Sequence, residues 1–308
     1  MPHTATLPLL LKQLKLTTMG RHWERLLQQA AQDGWNGAEY LAALCELELA
    51  ERHRRRIARQ TTESRLPAGK NLARFDFTQV PGLSPGQIDA LAGTADWTRQ
   101  SRNVLLFGPS GVGKTHLAAA IGHGLIEQGV RVRYFTTTTL VQQLQLAREQ
   151  MRLEDALHKL DRYRALILDD FGYVKKTEQE THVLFELIAH RYETGSLIIT
   201  SNQPFAEWDR IFPDQMMTVA AVDRLIHHAT IIEVSTDSYR RKQALRQASG
   251  QPATTTPARA STTPAGPPPS GSCLRRWGRT AGGCAPGGSS RRWWPVPRSV
   301  RAASPGSG

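Results

Sequence analysis

The run Gly108-Pro109-Ser110-Gly111-Val112-Gly113-Lys114-Thr115 limits what this chain can fold into more than any other segment. It satisfies G-x-x-x-x-G-K-[ST] in the one context where that pattern has a mechanism. Before it, Asn103-Val-Leu-Leu-Phe107 is a short apolar run suited to a buried strand; after it, His116-Leu-Ala-Ala-Ala-Ile121 continues as a helix. Strand, glycine-rich loop and helix in that order make a cradle for phosphate. Gly108, Gly111 and Gly113 let the backbone wrap around phosphate oxygens, and the N–H groups that open the helix point at the anion. The cradle is expected to run from Gly108 to His116. Within it Lys114 would reach the β- and γ-phosphates of a nucleoside triphosphate, and the Thr115 hydroxyl would ligate Mg²⁺.

The bare pattern turns up by chance in roughly one unrelated chain of this size in a hundred, so a second element has to support it. Ala165-Leu-Ile-Leu-Asp-Asp170 does so, as a β-rich apolar run ending in two carboxylates, the Walker B pattern. A strand carrying Asp169 to the sheet edge beside the loop would hold the Mg²⁺ shell. Asp170 would then be placed to polarise an attacking water.

With 308 residues the chain can hold one large or two modest domains. A net charge of +12 favours a polyanionic partner, nucleic acid before membrane. That charge is unevenly spread. Beyond Gly250 there is no Asp, Glu or Lys but there are eight arginines, which is 8 of the 12. Cys45, Cys273 and Cys284 fit neither a disulfide framework nor a zinc site, and a reducing cytoplasm is the simple inference. Leu7-Pro-Leu-Leu-Leu11 is too short for a membrane span and lacks a basic segment in front of it, so neither membrane insertion nor export is expected.

Composition and periodicity divide the chain into three parts. Residues 1–66 read as a small all-helical domain, with spaced apolar positions over Thr18–Leu27 and a capping box at Asn36-Gly-Ala-Glu39 opening a helix from Tyr40 to Arg59. The cluster Arg52-His-Arg-Arg-Arg56 with Arg59 either lies on phosphates or is a solvated face. Residues 67–248 alternate strands and helices. The expected strands are Asn103–Phe107, Val130–Thr136, Ala165–Asp169, Ser196–Thr200 and Thr230–Val234, which make an α/β fold with an open parallel five-stranded sheet. Residues 249–308, rich in Pro, Gly, Ser, Thr and Arg, are expected to be a disordered tail. It reads either as an arginine-rich nucleic-acid arm with Trp277, Trp293 and Trp294 for stacking, or as translation of a GC-rich frame not selected for folding.

Three further features narrow the kind of phosphate-loop protein. Ser196-Leu-Ile-Ile-Thr-Ser-Asn202 ends in an amide that would orient water over the γ-phosphate, a sensor position. Ala221-Val-Asp-Arg-Leu-Ile226 places Arg224 on a helix before the last strand, where it either reaches a neighbouring subunit's γ-phosphate or pairs with Asp223 on the surface. Ser238-Tyr-Arg-Arg241 follows the last strand. With Thr200-Ser-Asn-Gln-Pro-Phe-Ala-Glu-Trp208 and Asp223-Arg-Leu-Ile-His-His228, these motifs resemble the IstB family of insertion-sequence helper ATPases. That family is related to the DnaC helicase loader and the DnaA initiator within the AAA+ class. The resemblance covers roughly residues 5–245. The chain departs from it in its long tail and in Thr236-Asp237, where a Gly-Glu pair is common.

The resemblance implies a helical domain followed by an AAA+ module, with ATP and Mg²⁺ as ligands and assembly into a homo-oligomer on duplex DNA. It also implies stimulation of a partner, an IstA-like transposase. Under it, Lys114, Asp170, Asn202 and Arg224 carry catalysis, and Thr115 and Asp169 hold the metal. Arg148, Arg152, Lys175 and Lys176 are candidates for DNA phosphate contact, each equally readable as a solvated charge. The rival reading is a DnaC-like loader of a replicative helicase, working on single strands.

Overall fold

The structure, a computed structural model, describes residues 4–172, 177–210 and 215–235. The expected tail, Lys175, Lys176 and Ser238 to Arg241 lie outside the described residues.

Three helices come first: α1 (Leu7–Gln13), α2 (Thr17–Asp33) and α3 (Gly37–Ser64). The capping box that opens α3 is formed, with the Asn36 side chain accepting from Ala38 and Glu39 N–H and the Glu39 carboxylate accepting from Asn36 N–H at 2.7 Å. Such a cap is worth about 1 kcal/mol. The helix runs five residues past the expected Arg59, to Ser64, and Arg65 ends it in the left-handed region at φ 56°. Leu16 stands at the N-cap of α2 and cannot cap it. The carboxylate of Glu48, from α3, takes that place, accepting from Thr18 N–H at 2.8 Å and Met19 N–H at 3.1 Å while Arg52 Nε donates to its other oxygen at 2.8 Å. Burial alone would push this carboxyl up. The backbone donors and Arg52 outweigh burial and hold it below its ordinary range. Leu11, Met19, Leu26 and Leu44 close a small core among the three helices.

After 3-10 turns at Leu72–Arg74 and Phe77–Gln79 come two short helices, α4 (Pro85–Gly93) and α5 (Asp96–Arg99). Strands and helices then alternate: β1 (Asn103–Phe107), α6 (Lys114–Glu127), β2 (Val132–Thr136), α7 (Thr137–Glu149), α8 (Leu153–Leu160) and β3 (Ala165–Asp169). They continue with α9 (Glu178–Arg191), β4 (Ser196–Ser201), α10 (Gln215–Ile226) and β5 (Ala229–Glu233). All pairings are parallel, in the order β2-β3-β4-β1-β5. The α/β class and the five-stranded sheet are as expected.

Successive strand residues serve opposite faces, as the two-residue period of a strand requires. Val104, Leu106, Ile167 and Ile198 join α4 and α6 on one side. Leu105, Phe107, Leu166, Leu168, Leu197 and Ile199 join α7 to α10 on the other. Burial on both faces accounts for strands that read as unbroken apolar runs.

Four strand ends moved: β2 begins at Val132, β4 ends at Ser201 rather than Thr200, and β5 runs from Ala229 to Glu233 rather than from Thr230 to Val234. The strand expected from Val130 begins at Val132 because Gly129 and Val130 close α6: Gly129 N–H donates to Ile126 O and Val130 N–H to Leu125 O, both at 2.9 Å, which is a Schellman end. The last strand starts one residue earlier than expected, at Ala229. At the edge where strands begin, Arg164 donates to the carbonyls of Thr98, Thr194 and Arg99, and buried Arg191 donates to those of Tyr163 and Arg164.

Candidate nucleotide site

Strand order brings the motifs together. β4 lies between β1 and β3, so the loop after β1, the carboxylates after β3 and the end of β4 meet at the carboxyl edge of the sheet, where open parallel sheets bind ligands. The loop's path depends on glycine at two tight contacts. At Gly108, φ is 146° and a Cβ would lie 2.2 Å from the Val234 carbonyl oxygen, just where β5 leaves the sheet. At Gly113, φ is 102° and a Cβ would lie 2.8 Å from the Phe75 ring. Val112 is buried among the α4 and α6 side chains and anchors the loop from below, while Pro109 and Ser110 are exposed. Lys114 is buried, and its ammonium donates to the Gly108 carbonyl at 2.7 Å and the Pro109 carbonyl at 2.8 Å. The lysine charge therefore sits inside the loop's curl.

Asp169 is the hub of the site. Its side chain is 3% exposed, and three hydroxyls converge on the carboxylate: Thr115 donates to Oδ1 at 2.9 Å, Thr200 to Oδ1 at 2.5 Å and Tyr134 to Oδ2 at 2.6 Å. Its carbonyl accepts from Thr137 Oγ1 at 2.9 Å. Burial and the bond to Asp169 push the Tyr134 phenol well above its ordinary range, so it acts as a donor throughout the useful pH span. Thr115 Oγ1 and Asp169 Oδ1 are hard oxygen donors, and their 2.9 Å separation matches the edge of about 2.9 Å between neighbouring ligands of an octahedral Mg²⁺ with bonds of ~2.1 Å. These residues fit that ion.

Asp170 follows at the end of β3. It is exposed, with φ at 57°, in the left-handed region that non-glycine residues seldom occupy. Two bonds to β4 hold the turn: Asp170 N–H donates to Thr200 Oγ1 at 3.0 Å and Phe171 N–H to the Thr200 carbonyl at 2.8 Å. Thr200 thus links both acidic residues. No role for Thr200, Tyr134 or Thr137 is legible in the sequence. Each showed only as a polar side chain in or beside an apolar run, with no strand order to say what it faces.

His116 follows the loop. Its ring nitrogen Nε2 meets the Asn71 carbonyl at 2.9 Å, and Phe75 packs edge-on against it at 5.3 Å. Burial, joined by the nearby Lys70 charge, outweighs the Asn71 bond and lowers its pKa, favouring neutral imidazole. The segment before α4 thereby closes one side of the loop. Asn202 is exposed one residue beyond β4, on the same edge as Asp170.

Arg224 on α10 stands away from these groups in the hydrogen-bond network. It donates to the Ala220 carbonyl at 2.9 Å and lies over the Phe185 ring of α9, 5.3 Å from its centroid. With Tyr192, Met216 and Val219 it lines an open cavity of about 620 Å³. The basic face of α3 is largely paired along its own helix, Arg52 with Glu48, Arg54 and Arg55 with Glu51, and Arg59 with Glu63. Arg148 is 3.8 Å from Glu186, and Arg152 stands at the N-cap of α8. Among the described residues no helix is long and apolar enough to cross a membrane.

The sequence profile of the family described as IstB-like ATP binding protein matches residues 9–248. The chain belongs to that family. An insertion sequence ATP-binding protein of Sinorhizobium fredii is 52% identical over 251 residues, which cover 81% of this chain and 84% of that protein. The ATP-binding protein of insertion sequence IS21 from Pseudomonas aeruginosa is 40% identical over 237 residues, covering 77% and 89%. A crystal structure of the DnaC helicase loader aligns with a TM-score of 0.41 at 21% identity, covering 48% of this chain and 86% of that one. The IstB-like match begins at residue 9, inside α1, and runs past β5.

Proposed function

We propose that this chain is an ATP-driven helper of transposition in the cytoplasm, which binds ATP with Mg²⁺, assembles with copies of itself on duplex DNA and stimulates a partner transposase. The observation that carries this reading is the Thr115–Asp169 bond, which joins the phosphate loop to the Walker B carboxylate. Relatives that are ATP-binding proteins of insertion sequences supply the setting.

In this reading the N–H groups from Gly111 to His116 and the Lys114 ammonium take the phosphates. Lys114 exchanges its two carbonyl partners for phosphate oxygens, a stronger charge-assisted pairing. Mg²⁺ held by Thr115 and Asp169 would neutralise charge on the β- and γ-phosphate oxygens. Asp170 takes a proton from the attacking water, which Asn202 orients. Arg224 is offered to the neighbouring copy, completing its site. Residues 1–66 act as a helical arm on the ATP-binding part, 67–248. DNA contact is to phosphates, so binding is weakly sequence-specific and falls steeply with salt. Arg148 and Arg152 are candidates for it, as are Lys175 and Lys176.

Subunit mixing tests the shared site. Lys114→Ala and Arg224→Ala are each expected to abolish DNA-stimulated ATP hydrolysis, and an equal mixture is expected to recover part of it. The first variant supplies a finger to the second's intact loop. No recovery, or full activity of Arg224→Ala alone, refutes the finger. Stimulation by single strands but not by duplex refutes assembly on duplex DNA.

A further inference from the structure

Two helices on the face opposite α6 bring together a group that the nucleotide chemistry does not use. His158 in the last turn of α8, Asp161 at its C-cap and His190 in the last turn of α9 turn their ligand-bearing atoms inward, all within 4.8 Å of one another. Asp161 Oδ2 is 3.2 Å from His158 Nδ1 and 3.0 Å from His190 Nε2. Neighbouring ligands of a tetrahedral zinc with bonds of ~2.0–2.1 Å stand about 3.3 Å apart. The two edges therefore need only a few tenths of an ångström of adjustment.

The surroundings match those of a metal centre in two respects. A ligating imidazole usually presents its other nitrogen to a carboxylate, and Glu154 Oε1 lies 3.7 Å from His158 Nε2, one helical turn back. The Arg191 guanidinium would oppose a cation, but it lies 3.6 Å from Asp161 Oδ1, the other carboxylate oxygen, and is held by the carbonyls of Tyr163 and Arg164. It steadies Asp161 through Oδ1, which also lies 2.9 Å from His190 Nε2, while Oδ2 is the oxygen within reach of both imidazoles.

We propose that His158 Nδ1, His190 Nε2 and Asp161 Oδ2 form a binding site for a divalent transition ion of the zinc class, with water in the fourth position. Two imidazoles and one carboxylate suit zinc over Mg²⁺ or Ca²⁺, which prefer oxygen throughout. The ion would rivet α8 to α9, the helix that leads from the Walker B turn to β4, and so act as a structural clip distinct from the nucleotide's metal.

Cobalt(II) reports the geometry. The full chain is titrated with Co²⁺ in excess Mg²⁺, so that oxygen-only sites are filled. The expected result is the intense visible absorption of a tetrahedral ion, saturating at one equivalent and displaced by Zn²⁺. His158→Ala, at an exposed position, and His190→Gln, which keeps side-chain bulk, are each expected to abolish it while circular dichroism stays unchanged. Glu154→Gln is expected to weaken binding by about 10-fold. Absence of the bands in the native chain, or their survival in both histidine variants, overturns the site.

Discussion

Thr200→Val tests how the Walker B turn is built. Valine keeps the shape of threonine, so the change removes chemistry and leaves packing intact. Two bonds disappear: the 2.5 Å donation to Asp169 Oδ1 and the 3.0 Å acceptance from Asp170 N–H. The first is a hydrogen bond to a buried carboxylate, worth ~1.5–3 kcal/mol, and the second leaves an N–H without its partner at a cost of ~1–3 kcal/mol. Asp169 keeps Thr115 and Tyr134, which limits the loss, so a destabilisation of about 3 kcal/mol is expected. In a folded unit of this size that lowers the melting temperature by roughly 6–12 °C. Turnover falls further than stability. Asp170 occupies φ 57° because its N–H is tied to Thr200. Released from that tie, its carboxylate leaves the position in which the proposed mechanism makes it a general base, a loss of about 10²-fold or more in kcat. The assays are thermal unfolding by circular dichroism and steady-state ATP hydrolysis with duplex DNA. Thr200→Ser retains both bonds and is expected to stay close to the parent in each. A valine variant melting within ~2 °C of the parent and turning over at the parent rate refutes the argument.

Other perturbations follow from the same contacts. Gly108→Ala puts a methyl group 2.2 Å from the Val234 oxygen, and backbone cannot yield as a side-chain tip would; loss of nucleotide binding in a thermal-shift titration is the expected outcome. Tyr134→Phe removes the 2.6 Å donor to Asp169 and is expected to destabilise by about 1.5–3 kcal/mol in urea unfolding, with a weaker apparent Mg²⁺ requirement for ATP hydrolysis as the second reading. Glu48 has its folded pKa below the ordinary 4.5, so its stabilisation is present above that value and is lost as pH falls through the folded value. Glu48→Gln is expected to lower stability at neutral pH and to flatten the fall in stability below pH 4.5, as followed by urea midpoints across the acid range.

What could be read from the residues in order was local. The Asn36–Glu39 capping box, the apolar strands and the glycine-rich loop are each patterns of neighbouring residues, and each formed where its pattern placed it or within two residues of it. Partners brought together by the fold could not be read that way. Glu48 caps a helix 30 residues earlier in the chain; Tyr134 and Thr200 reach Asp169 because β3 lies beside both β2 and β4, and Thr115 because β4 alone separates β3 from β1. Val130 read as strand because it is β-branched and apolar, yet its N–H closes a helix; a turn set by Gly129 outweighed propensity there. Arg224 reads as a finger for a neighbour or a partner of Asp223; within the chain it donates to the Ala220 carbonyl and lies over the Phe185 ring.

Helix α3 has a mechanical side. Its 28 residues make a rod of about 42 Å. Near the rod's end, Ile57 and Leu66 pack with α6, and the Leu66 methyls lie against Gly122, two turns along the helix that Lys114 opens. α1 and α2 pack along the rod, their junction against Glu48, Arg52 and Arg55, with Leu9, Leu10 and Leu14 turned to solvent. A rod rooted on the phosphate-loop helix works as a pointer: a tilt of about 5° at its base sweeps its far end, at Gly37, through roughly 4 Å, given ~1.5 Å of rise per residue. A displacement too small to disturb the sheet is thereby magnified at the end of α3 that opens on the Asn36 cap.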